Sequence, residues 1–121
     1  MKFFPLATAL LLFLNSCTDN PNARLIIGHW QGVSWEQNGA DAQLRAGSTS
    51  FHFDTTGRYV YRYGEMEETG TYKVENQMLF TKPQDGLEIM VNIAKLNQDT
   101  LIFDMSRKGT PEQLVLKRIN P

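Results

Sequence analysis

The sequence predicts an all-β domain, an eight-stranded antiparallel up-and-down barrel. From Ile27 onward, apolar and polar residues alternate over short runs almost everywhere, the period-two signature of strands that bury one face. Polar reversals carrying glycine, asparagine or aspartate separate these runs at short intervals, so successive strands become hairpin partners. A chain of 121 residues has the length for eight short strands, and closing such a sheet removes its unpaired edges.

Before the strands comes a segment of another kind. Lys2 is followed by an apolar run over residues 6–14 and then by Leu14-Asn15-Ser16-Cys17, the layout of a secretory signal. That run is far shorter than the ~20 residues needed to span a bilayer. Leu-x-Ser-Cys resembles the lipobox of bacterial lipoproteins. The resemblance implies a diacylglycerol on the Cys17 sulfur, cleavage just before it and acylation of the new amino terminus. Residues 1–16 are then the signal peptide and 17–23 the lipidated cysteine and a polar tether, TDNPNA after the cysteine. Residues 24–121 form the domain. Cys17 is the sole cysteine, so no disulfide supports the fold and packing must stabilise it.

The eight strands fall at 29–37, 48–54, 57–64, 67–74, 77–82, 87–96, 99–106 and 112–119. Asp54-Thr55-Thr56-Gly57 offers an Asx-type start and a glycine for positive φ; Glu75-Asn76 and Asn97-Gln98-Asp99 are tight reversals. Residues 64–68 and 82–86 are polar connections. The exception is 38–47, NGADAQLRAG, a longer loop with room for one helical turn.

Alternation assigns the faces. Phe51 and Phe53 point inward, as do Tyr59, Tyr61 and Tyr63, then Tyr72 and Val74. Later strands place Leu87, Ile89, Val91 and Ile93 inward, then Leu101, Phe103 and Met105, then Leu114, Leu116 and Arg118. Trp35 has opposite parity to Trp30 and faces outward unless a bulge near Gly32 resets the register. An inward arginine is costly without a receiver, and Trp30 is the candidate for Arg118.

Trp30 lies in Gly28-His29-Trp30, after an apolar lead-in, Leu25-Ile26-Ile27, that suits a plug for one end of the barrel. Here the chain resembles the lipocalin-like superfamily, in which a Gly-x-Trp on the first strand is covered by a basic residue from the last. The resemblance maps onto Gly28, Trp30 and Arg118, and implies a guanidinium over an indole face worth about 1–2 kcal/mol. The runs IIGHWQGVSWE, FHFDTTGRYVY, ETGTYKVENQMLF and TLIFDM through LVLKRI are similar to the short lipocalin-like lipoproteins of Bacteroidetes.

Eight strands enclose an interior that is either filled by side chains or holds one small ligand. Tyr59, Tyr61, Tyr63 and Tyr72 place phenols inside, and each hydroxyl wants a partner. With Phe51, Phe53 and Phe103 as apolar wall, they suit a wet cavity for an amphipathic molecule. The expected function is that of a lipid-anchored envelope protein, in the outer rather than the inner membrane, binding a small apolar or amphipathic ligand beneath loop 38–47. The alternative is a filled-barrel interaction module that contacts another envelope protein or a surface glycan, marked by a packed interior and an exposed Trp35 patch. Twelve basic and 13 acidic residues give a net charge of −1, which argues against a nucleic-acid surface. No enzyme, cofactor or metal is expected. Ser34, Ser48, Ser50 and Ser106 lack a nucleophile elbow, and His29 and His52 lie on strands with no triad signature. Glu65, Glu67 and Glu68 read as a solvated hairpin tip rather than a calcium loop. Oligomeric state is not encoded in these patterns.

Overall fold

The structure is a computed structural model that describes residues 20–41, 45–107 and 109–119. The predicted signal segment, Cys17 and the start of the tether lie outside the described residues. A short helix, α1 (Pro21–Leu25), opens the described chain. The Asn20 side chain accepts from the Asn22 backbone N–H at 3.1 Å, and Pro21 supplies the fixed φ of a first turn, a pairing that starts helices. Asn20 and Asn22 also donate to the carbonyls of Val74 and Asn76 at 3.1 and 2.9 Å, which fastens α1 against the barrel.

The strands are β1 (Gly28–Gln37), β2 (Ala40–Asp41), β3 (Thr49–Phe53), β4 (Arg58–Tyr63), β5 (Met66–Glu75), β6 (Met78–Pro83), β7 (Ile89–Leu96), β8 (Thr100–Arg107) and β9 (Thr110–Ile119). From β3 to β9 each strand pairs with its sequence neighbour, while β1 pairs with β3 and also with β9. The result is the expected closed antiparallel barrel of eight strands, with β2 added as a short ribbon on β1. Asn38 and Gly39, at φ of 54° and 80°, form the two-residue turn into β2, the arrangement Asn-Gly favours. The helical turn expected in this loop is a 3-10 turn, Ala46–Ser48, at its far end.

Two bulges modify the pleat. In β1 the register against β9 shifts between Gly32 and Ser34. A Cβ on Gly32 would sit 2.3 Å from the Ala46 carbonyl oxygen, so only glycine lets the 3-10 turn approach β1 this closely. The shift turns Trp35 inward, leaving it 7 % exposed. The reset at Gly32, not the simple parity of the strand, sets its side. The second bulge falls between Ile93 and Lys95 and brings Leu96 opposite Leu101. One inward assignment fails: Leu87 lies before β7 begins and is 86 % exposed, because the connection from β6 continues past Gly86.

Candidate functional site at the barrel mouth

The barrel has two unlike ends. At the closed end, α1 and Ile26 cover the interior and Trp30 is fully buried. The Trp30 indole N–H donates to the Ile26 carbonyl at 2.8 Å. Across β9, Arg118 pairs in register with Trp30, and its guanidinium carbon lies 4.3 Å from the indole ring centre. Nε and the two terminal nitrogens donate to the carbonyls of Gln98, Ile27 and Leu25 at 2.6, 2.7 and 2.5 Å. Gly28 has φ of +134°, and a Cβ there would lie 2.5 Å from an Arg118 nitrogen; both backbone and space require glycine. This is a plug, built from the arginine, the tryptophan, the carbonyls of Leu25 and Ile27 before the first strand and that of Gln98 between β7 and β8.

Next along the axis comes a floor. Phe53, Tyr59 and Phe103 are buried. Phe51 stacks on Phe53 at 5.5 Å and meets Phe103 edge-on at 5.6 Å. In the sheet β3 and β8 are separated by β1 and β9, so the second contact crosses the interior and closes it from below. Tyr72 sits on the closed side of this floor. Its ring meets Phe53 edge-on at 4.9 Å and its hydroxyl donates to the Asp54 carbonyl at 2.6 Å.

Beyond the floor, inward residues retain exposure. Phe51 and Tyr61 are half-buried with ring centres 4.8 Å apart, and Tyr63 is half-buried and edge-on to Trp35 at 6.1 Å. Met66, opposite Tyr63, and Ile89, opposite buried Thr81, occupy inward register positions yet are 51 % and 52 % exposed. Met66 and Ile89 are the first residues of β5 and β7, so their exposure marks the rim of the barrel. Of the residues expected to line a ligand, the structure therefore places Phe51, Tyr61 and Tyr63 on the wall. Phe53, Tyr59 and Phe103 form the base, and Tyr72 lies behind it.

The mouth also carries polar groups that alternation alone does not single out. Glu112 on β9 is only 3 % exposed. Its two oxygens accept from the Trp35 indole N–H at 2.9 Å and the Gln37 amide at 3.0 Å. Its parity with Leu114, Leu116 and Arg118 was the available signal. Glu68 is the second group. It is not part of a solvated hairpin tip but lies within β5, opposite Tyr61 and half-buried. Its Oε2 accepts the Tyr59 hydroxyl at 2.6 Å. Burial first, then the bond and charge of Glu68, push the Tyr59 phenol well above its ordinary value, with Thr81 acting in the opposite direction. Tyr59 is thus a fixed donor at neutral pH.

On the outer wall, His29 and His52 are cross-strand partners with rings stacked at 3.9 Å and 2°. Among the described residues no three His, Cys, Asp or Glu side chains form a group suited to a metal ion, and no helix is long and apolar enough to cross a membrane.

Comparison with known proteins agrees with this geometry. Residues 26–103 match the family model of the lipocalin-like domain. An uncharacterized protein from Bacteroides eggerthii superposes with a TM-score of 0.62 at 11 % identity, over 78 % of this chain and 99 % of its own. A lipocalin-like protein from Bacteroides uniformis superposes with a TM-score of 0.60, also at 11 % identity, over 78 % and 98 % of the two chains. No curated protein matches the sequence.

Proposed function

Because this chain belongs to the lipocalin-like domain family, we propose that it is a lipid-anchored envelope protein that sequesters a small apolar or amphipathic ligand in the mouth of its barrel. The lipocalin-like barrel commonly binds small hydrophobic molecules and is typically a binding rather than a catalytic fold. The observation that carries the reading is the set of inward apolar residues, Phe51, Tyr61, Met66 and Ile89, left open to solvent above a closed aromatic floor. Burying them against a ligand supplies affinity, while Tyr63 and the mouth carboxylates orient its polar end. The filled-barrel alternative is marked by a packed interior together with an exposed Trp35 patch, and Trp35 is buried against Glu112.

Anchoring through Cys17 fits the same picture. Asn20 lies beside the closed end, bonded to Val74, so a membrane reached through the short tether faces the plug and the mouth opens away from it. An outer-membrane location is part of this proposal. Cys17→Ala is expected to abolish acylation and cleavage before residue 17; a variant that is still acylated, or still cut at that position, overturns the anchor. Native mass spectrometry of the full chain carrying Cys17→Ser, to prevent acylation, tests the cup. A discrete adduct of a few hundred daltons is expected. The bare mass alone, persisting after incubation with lipid and small-molecule mixtures, would assign the chain to the interaction module.

A further inference from the structure

Building on the reading of the mouth as a ligand cup, we infer that the ligand class is an amphipathic amine, its apolar chain against Phe51, Tyr61 and Ile89 and its protonated amino group on the Glu68 carboxylate. Glu68 shares the inward face of the barrel because it stands opposite Tyr61 in the β4–β5 ladder, and directly opposed residues of an antiparallel pair point the same way. Tyr59 engages one oxygen, Oε2, at 2.6 Å. Among the described residues no second hydrogen bond and no ion pair reaches the carboxylate. An ionised carboxyl offers about four acceptor positions, and Glu68 lines a groove at the mouth with Met66, Glu67, Pro83, Gln84 and Asp85.

Half-buried in that groove, the carboxylate keeps acceptor positions that a cation or further donors can fill. The cations around it are engaged elsewhere. Arg62, on the adjacent strand, points outward and pairs with Glu67 at 2.5 Å. Lys82 on β6 is exposed and reaches the Gly86 carbonyl at 3.4 Å. Arg45 approaches Gly64 at the rim and makes no ion pair with Glu68. Glu112, the other mouth carboxylate, already holds the Trp35 and Gln37 donors, which leaves Glu68 as the group presented to a ligand. A fatty acid or other anionic head would set like charges together there, whereas an ammonium would supply donors and the opposite charge. The Tyr59 hydroxyl, held as a donor to Oε2, keeps the carboxylate oriented.

The test uses displacement of the uncharged dye N-phenyl-1-naphthylamine from the full chain carrying Cys17→Ser, by decylamine, decanol and decanoate of equal chain length. Decylamine is expected to displace at a roughly tenfold lower concentration than decanol, with decanoate the weakest. Glu68→Gln retains a carbonyl to accept the Tyr59 hydroxyl and removes the charge; the amine-to-alcohol ratio is expected to fall to near one. Equal affinity for amine and acid in the unsubstituted chain, or an amine preference that survives Glu68→Gln, overturns the amine assignment while leaving the cup in place. Failure of the dye and of all three amphiphiles to bind overturns the cup as well.

Discussion

Phe53 and Phe51 lie two residues apart on one strand and on the same inward face, stacked on each other. Phe53 is fully buried, and Phe51 keeps part of its ring in water. The contrast between them is the contrast between the two ends of the barrel. Trp30, which stands opposite Phe51 across the β1–β3 ladder, fills the interior with Leu101, Leu116 and Ile26, all without solvent exposure. Beyond Phe51 the inward face carries tyrosines, a methionine and two carboxylates, several of them partly exposed. The inward face of one barrel therefore differs in exposure between its two ends.

The sharpest way to break that comparison is to truncate both rings. Phe53→Ala is expected to cost about 3–5 kcal/mol, the usual range for a fully buried phenylalanine that leaves a cavity. Phe51→Ala is expected to cost only about 1–2 kcal/mol, since less apolar surface returns to water. Urea unfolding of the full chain measures both, and equal losses would show that the axial gradient is not energetic. Phe51→Ala should also weaken dye binding.

Arg118→Ala comes next, at about 2 kcal/mol. It removes the cation–π contact with Trp30 and leaves the carbonyls of Leu25, Ile27 and Gln98 without their donor. Trp30 emission should shift while amphiphile binding at the mouth stays in place; loss of binding would mean that the ends are coupled. The mouth counterpart is Glu112→Gln. An amide has one acceptor oxygen where the carboxylate has two, so either the Trp35 indole or the Gln37 amide loses its partner, at about 1 kcal/mol. The fluorescence change should then belong to Trp35 rather than Trp30, and single-tryptophan variants separate the two.

What the sequence revealed and what it hid follow from the kind of information alternation carries. Parity along 51–53, 59–63 and 101–105 identified the inward face because those strands run without interruption. Parity says nothing of depth along the barrel axis, so Phe53 and Phe51 looked alike. It left Trp35 conditional on a bulge near Gly32, and that bulge is present and dictated by the approach of the Ala46 carbonyl to Gly32, a contact with another segment. At Leu87 an apolar residue extended the apparent strand into a loop whose exposure the local pattern does not encode. Glu112 and Glu68 were legible, since each continues the parity of its strand, but a rule that assigns acidic residues to the surface conceals them. Asn38-Gly39 was legible too, as a hairpin turn, within a loop read as irregular. Asn20-Pro21 likewise announced α1 by its cap and first-turn proline.

The smallest expected effect sharpens the comparison from outside. His29 sits on the outer wall at the level of Trp30, stacked on His52. Its pKa is held below the ordinary value of 6.5 by desolvation first, then by the charges of His52 and Arg62. An unfolded chain therefore binds the proton more readily than the folded one, so stability falls as pH drops below 6.5 and levels off once His29 in the folded state is also protonated. Asp54 acts in the same direction in a lower window. Its carboxylate accepts from the Arg58 and Thr56 backbone and the Thr56 hydroxyl, and its pKa is lowered chiefly by the Arg58 bond. Its stabilisation is present above 3.8 and lost as pH falls through its folded-state value. Both groups border the closed half, on β1 and after β3. Mild acid should thus lower the urea midpoint in two separable stages, and His29→Gln should remove the upper stage. Retention of that stage in His29→Gln would place the titrating group elsewhere, and an upper stage that tracked amphiphile binding instead would place it in the mouth.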